Sequence, residues 1–181
     1  MIYFVRHGQT DFNKFRISQG QLDVSLNYDG LKEAKGVAER LKDYKFDVVF
    51  CSPLIRAKQT AEYILSYHPN ILLIYDDRLK ECSRGVLEGQ KNPQEAYDAF
   101  FSDPHKYGGE TCEDVFKRVK SLFKDLQQYK GQNVLIVGHG EFCRHFLHVY
   151  DGSYDKGTPL PVYGEENFKV IKNCEVIELE F

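Results

Sequence analysis

Short apolar runs of strand length alternate along this chain with longer segments whose apolar residues recur at helical spacing, and that alternation constrains the fold more than any other feature. Met1–Val5, Phe46–Cys51, Ile71–Tyr75 and Asn133–Val137 read as strands. Between them, Asn27 is a good N-cap for a helix to about Leu41, with Leu31, Ala34, Ala38 and Leu41 on one stripe. Pro53 opens a second helix through about Ser66, carrying Ile55, Ala57, Ala61, Ile64 and Leu65. Thr111 with Asp114 makes a capping-box-like start for a helix to about Gln128, whose Val115, Val119, Leu122, Phe123 and Leu126 share a face. A further helix runs from about Glu141 to Val149, a short one is expected around Pro93–Phe101, and Asp151–Gly164 reads as an extended loop. The chain ends in an alternating strand with Ile177, Leu179 and Phe181 on one side. Strands that alternate with helices predict an α/β three-layer sandwich, a mostly parallel central sheet covered by helices on both faces. The length of 181 residues suits one domain over 1–181.

Charge and composition narrow the function classes. A net charge of −3 and the lack of any Lys/Arg-rich run give no footprint for nucleic acid or membrane headgroups. An anionic substrate must then be drawn by a local positive pocket. The apolar runs are too short to span a bilayer, and Met1–Arg6 lacks the pattern of a secretory signal, so the cytoplasm is the expected location. Cys51, Cys82, Cys112, Cys143 and Cys174 include no C-x-x-C pair, which fits reduced structural thiols.

Three chemically capable segments follow directly on predicted strands. They are Arg6-His7-Gly8, Ser52-Pro53-Leu54-Ile55-Arg56 and Gly138-His139-Gly140. Ligands of open α/β sheets bind outside the carboxyl ends of the strands, so these distant loops can converge on one pocket with two Arg and two His. Each guanidinium offers a planar fork of donors suited to phosphate. A neutral histidine can serve as a nucleophile, and the glycine after each histidine lets backbone approach a ligand closely.

These residues also carry a family resemblance. Arg6-His7-Gly8-Gln9-Thr10 with Asn13, followed by Ser18-Gln19-Gly20, Asp23, Leu26 and Gly30, resembles the opening of the histidine phosphatase superfamily, also called phosphoglycerate-mutase-like. Ser52 through Ala61 resembles its second-arginine motif, and Leu79-Lys80-Glu81 with Gly85 and Glu88-Gly89 its acid-bearing loop. Gly108-Gly109-Glu110-Thr111 and Val137-Gly138-His139-Gly140 complete the set in the family's order. The resemblance implies that His7 attacks phosphorus, that Arg6, Arg56 and His139 clamp the phosphate oxygens, and that Glu81 handles the leaving-group proton. Asn13, Gln19 and Gly8 would be secondary substrate contacts. It implies neither a metal nor an organic cofactor.

Several alternatives stand beside this reading. Cys82-Ser83-Arg84 departs from the usual follow-on to the acid, and Glu88 is a rival proton donor. Glu110 could simply favour the start of its helix. His139, Glu141, Cys143, His145 and His148 invite a metal, but lacking a second ligand cluster or an H-E-x-x-H the expectation is a helix with two surface histidines. The expected activity is metal-independent hydrolysis of a small phosphorylated metabolite, because Gly89 to Gly108 is short for a deep lid. Phosphoglycerate mutation, or phospho-ligand binding without turnover, are the alternatives. The edge at Cys174–Phe181 leaves a homodimer open.

Overall fold

In the computed structural model, which describes residues 1–91, 103–155, 160 and 169–181, five strands form one sheet in the order β3-β2-β4-β1-β5. They are β1 (Ile2–Arg6), β2 (Val48–Cys51), β3 (Leu72–Tyr75), β4 (Val134–Gly138) and β5 (Val176–Leu179). β1, β2, β3 and β4 run parallel to their neighbours, and β5 pairs antiparallel with β1 at the edge. The helices are α1 (Asp11–Lys14), α2 (Tyr28–Leu41), α3 (Ile55–Leu65), α4 (Cys112–Leu126) and α5 (Gly140–Tyr150).

Alternation of side chains along the central strands builds two cores. Ile2, Phe4, Val48, Phe50, Val134 and Ile136 face α4 and α5, packing with Val119, Leu122, Phe142 and Phe146. Val5, Val49, Cys51, Leu135 and Val137 face α2 and α3, packing with Val37, Ala38, Ala57 and Ile64. β4 is therefore apolar at every position, as a strand buried on both faces requires. The α/β three-layer architecture expected from the alternation is present.

Local boundaries shift for identifiable reasons. Asn27 caps α2 by accepting from the Gly30 amide at 2.8 Å. Thr111 and Asp114 form the full capping box of α4. Pro53 does not open α3, which begins at Ile55 after an extended Leu54. The segment after β1 is more ordered than a plain loop, because Thr10 and Asn13 form a second capping box that closes the single turn of α1. The short helix expected at Pro93–Phe101 lies outside the described residues, as does most of the loop expected over Asp151–Gly164. Among the described residues no helix is long and apolar enough to cross a membrane.

Candidate active site

Strand register places the site. Arg6 pairs with Gly138, and Cys51 with Val137, so β1, β2 and β4 end at the same level. The next residues are His7, Ser52 and His139. His7 donates its amide to the Gly138 carbonyl at 3.0 Å, and Ser52 donates to Val137 at 2.9 Å. The two imidazoles then lie with ring centroids 5.1 Å apart.

His7 is 2% exposed, and its Nδ1 lies 2.7 Å from the Gly8 carbonyl oxygen. A carbonyl only accepts, so this bond requires Nδ1–H and leaves Nε2 with the lone pair. Burial, then the nearby charges of Arg56 and Arg6, hold His7 well below the ordinary histidine pKa. His139 is fully buried and is held down by burial and by Arg56. Both rings are thus neutral at pH 7.

Arg56 is fully buried on α3, and burial lowers its pKa to about 10. Its terminal nitrogens donate to the carbonyls of Leu22 (2.7 Å) and Gly20 (2.8 Å), which fixes the loop after α1. Arg6 donates to the Ile171 carbonyl and packs its guanidinium against Gly140, where an added Cβ would lie 3.2 Å from Arg6 Nε. Arg6 Nε, Arg56 Nε and His139 Nδ1 are buried with no protein partner.

Glu81 reaches the same level from the loop after β3. Its carboxylate accepts from the backbone amides of Glu141 (3.2 Å), Phe142 (2.9 Å) and Cys82 (3.0 Å), at the N-terminus of α5. His139, the N-cap residue, supplies no side-chain cap there, so Glu81 satisfies amides that would otherwise be open. Glu88 lies in a different network. One oxygen accepts from the Gln21 amide (3.0 Å), the Arg84 amide (2.9 Å) and Ser83 Oγ (3.3 Å), tying two loops together. Glu110 does more than favour a helix start, because it forms a two-pronged ion pair with Arg118.

Asn13 and Gln19 are both joined to Thr10, and Asn173 links Asn13 to the His7 backbone. Thr10 Oγ1 donates to Gln19 Oε1 at 2.8 Å, and Asn173 Nδ2 donates to the His7 carbonyl at 2.9 Å and to Asn13 Oδ1 at 3.4 Å. Gly8 is needed for packing. An added Cβ would lie 2.5 Å from the Gly30 carbonyl oxygen on α2.

Ser52, Thr60, Arg118 and Asn173 complete the site and carry no role in the sequence-based expectation. Thr60 accepts from the Gly8 amide at 3.1 Å, which ties α3 to the loop that carries His7. Ser52 and Thr60 lie inside the second-arginine motif and leave a signal there, whereas the apolar stripe of α4 is complete without Arg118. Asn173 leaves none. The two histidines of α5 are not at the surface. His145 and His148 are 2% and 7% exposed, because Phe116 packs on both rings. His145 Nδ1 is bonded to the Glu141 carbonyl at 2.9 Å. Among the described residues no group of three or more His, Cys, Asp or Glu could hold a metal ion. All five cysteines are unpaired, and burial pushes Cys51 and Cys174 up to about 12.

The family model described as Histidine phosphatase superfamily (branch 1) matches residues 2–181. The chain belongs to this superfamily. A curated relative, the uncharacterized phosphatase PhoE of Bacillus subtilis, is 37% identical over 152 residues, covering 83% of this chain and 77% of its own. A 2,3-bisphosphoglycerate-dependent phosphoglycerate mutase of Mesorhizobium japonicum is 31% identical and covers 98% of both chains. The solved structure of Bacillus stearothermophilus YhfR superimposes with a TM-score of 0.80 at 28% identity, over 97% of this chain and 88% of that one. As a histidine phosphatase superfamily member, the chain has phosphatase or phosphoglycerate-mutase-like activity.

Proposed function

We propose that this protein hydrolyses small phosphomonoesters through a phosphohistidine on His7, without a metal. One observation carries this: a buried neutral His7, its Nδ1–H held by Gly8, stands with the buried Arg6 Nε, Arg56 Nε and His139 Nδ1, none of which has a protein partner. On this plan, His7 Nε2 attacks phosphorus in line with the ester oxygen. Arg6, Arg56 and His139 Nδ1–H stabilise the charge on the phosphoryl oxygens, which is the role a metal would otherwise fill. Glu81 gives its proton to the departing oxygen, then takes one from the water that attacks the phosphohistidine. Inorganic phosphate leaves and His7 is restored.

Hydrolysis is favoured over mutation by the short stretch from Gly89 to Gly108, which leaves little chain for a deep lid. A mutase must shelter the phosphohistidine from water. The alignment with the Mesorhizobium mutase spans 206 positions against a chain of 181, so that mutase carries inserted residues with no counterpart here.

The test is turnover of p-nitrophenyl phosphate in EDTA by the wild type beside His7→Ala. Turnover that His7→Ala abolishes is the expected result. Robust conversion of 3-phosphoglycerate with a bisphosphate primer, and slow hydrolysis, would assign the mutase activity instead. A cytoplasmic location and a second copy of the chain along the β5 edge belong to the same proposal.

A further inference from the structure

We infer that Ser52 is a positioning residue that sets the tautomer of His139, and so decides whether that histidine presents an N–H or a lone pair to the phosphoryl group. The inference rests on the phosphoryl-transfer role proposed above for His7 and His139. Ser52 is fully buried at the end of β2, and its Oγ lies 2.7 Å from His139 Nε2. The bond runs in only one of two senses. Either the hydroxyl donates and His139 carries its proton on Nδ1, or Nε2–H donates and Nδ1 is a bare acceptor.

The surroundings choose between them. Ser52 Oγ accepts from the Leu54 amide at 3.3 Å, because the chain turns sharply through Pro53 before α3. The hydroxyl proton is then free to point at His139 Nε2. No other acceptor for it is present among the described residues. His139 Nδ1, on the opposite side of the ring, is buried without a protein partner. Arg6 Nε and Arg56 Nε are left open in the same way, so an Nδ1–H completes a cluster made only of donors. A bare Nδ1 would place a lone pair against the oxygens of a phosphoryl group, which repel it.

Ser52 is itself held rigidly. Its amide bonds to Val137, and Cys51 before it is buried in the core beneath α3. The hydroxyl thus transmits the fixed geometry of β2 and β4 to the ring, as outer-shell partners do for histidines that ligate metals.

The experiment is long-range proton–nitrogen correlation on 15N-histidine-labelled protein at pH 7, with His139 assigned from His139→Asn. Wild-type protein should show His139 protonated on Nδ1. Ser52→Ala should show a mixed or Nε2-protonated ring, with orthovanadate affinity and kcat reduced by about 10- to 100-fold. Ser52→Thr, which keeps the hydroxyl, should restore both. An Nε2-protonated His139 in the wild type overturns the inference, and that measurement needs no variant to fold. So does a Ser52→Ala protein with unchanged tautomer, vanadate affinity and kcat. The tautomer is read directly, so a protein that proved to be a mutase would still give a decisive answer on Ser52.

Discussion

Arg118 and Glu110 pair through two parallel bonds, Nε to Oε1 at 2.8 Å and a terminal nitrogen to Oε2 at 3.0 Å, directly beneath the loop that carries Glu81. The same guanidinium donates to the carbonyls of Arg78 (2.6 Å), Lys80 (2.7 Å) and Glu81 (3.2 Å) and stacks over Phe142. One side chain on α4 thereby fixes the backbone that leads into Glu81. Lysine cannot make five such bonds. Arg118→Lys should lower kcat/KM by about 10-fold and stability by about 2 kcal/mol, a value kept modest because the pair is partly exposed. Urea unfolding and steady-state kinetics on the same preparation check both.

Glu81 and Glu88 can be separated by leaving group. Without a proton donor, an alkyl monoester suffers far more than p-nitrophenyl phosphate, whose phenolate departs unaided. Glu81→Gln should lose about 10²- to 10³-fold in kcat on an alkyl phosphate and far less on the nitrophenyl ester. Glu88→Gln should leave that ratio unchanged while lowering the melting temperature, because its carboxylate joins Gln21 to Ser83 and Arg84. A ratio that collapsed in Glu88→Gln instead would reassign the acid.

Arg56 is as much a brace as a phosphate ligand. Its terminal nitrogens hold Leu22 and Gly20, and its Nε is open. Arg56→Lys keeps a charge but cannot reach both carbonyls and a ligand at once. It should cost about 10²- to 10³-fold in kcat/KM. The buried Gly20 carbonyl and the partly buried Leu22 carbonyl would also lose a donor, worth about 2 kcal/mol of stability. Near-normal kinetics in this variant would remove Arg56 from the proposed clamp.

The strand-end positions of His7 and His139 are legible in the sequence because each follows an apolar run that must end at the sheet's rim. Arg6 and Arg56 are legible because a cation there is uncommon without an anion to meet. The supporting residues are harder to see. Arg118 interrupts an apolar face that reads as complete without it, since Val115, Val119 and Leu122 already form the stripe. Asn173 reaches the His7 carbonyl from just before an edge strand, a contact across 166 positions that no local pattern encodes. His145 and His148 read as surface residues because helical spacing gives a face but not what covers it, here Phe116. Gly30 is legible only through the family resemblance, not through helix periodicity. An added Cβ would lie 1.9 Å from the Gln9 carbonyl oxygen, a demand made by tertiary approach rather than by the helix that contains it.

The buried histidines predict acid sensitivity of a definite sign. His7, His139 and His145 are all held below the ordinary histidine value, in each case first by burial. Above pH 6.5 neither the folded nor the unfolded chain protonates them appreciably, so they do not alter stability there. Below it the unfolded chain gains protons that the folded chain refuses, and unfolding becomes easier as pH falls. The slope is at most about 1.4 kcal/mol per pH unit for each histidine, until the folded groups titrate in turn. Denaturation midpoints should therefore fall between pH 6.5 and 5, and less steeply in His145→Gln, which removes one of the three. The rate should behave differently. His7 stays neutral below pH 6.5, so the acid limb of kcat/KM for p-nitrophenyl phosphate should lie below that value in the folded enzyme. An acid limb centred at or above pH 6.5, with the protein still folded, would show that the imidazole of His7 does not have the neutrality its burial implies.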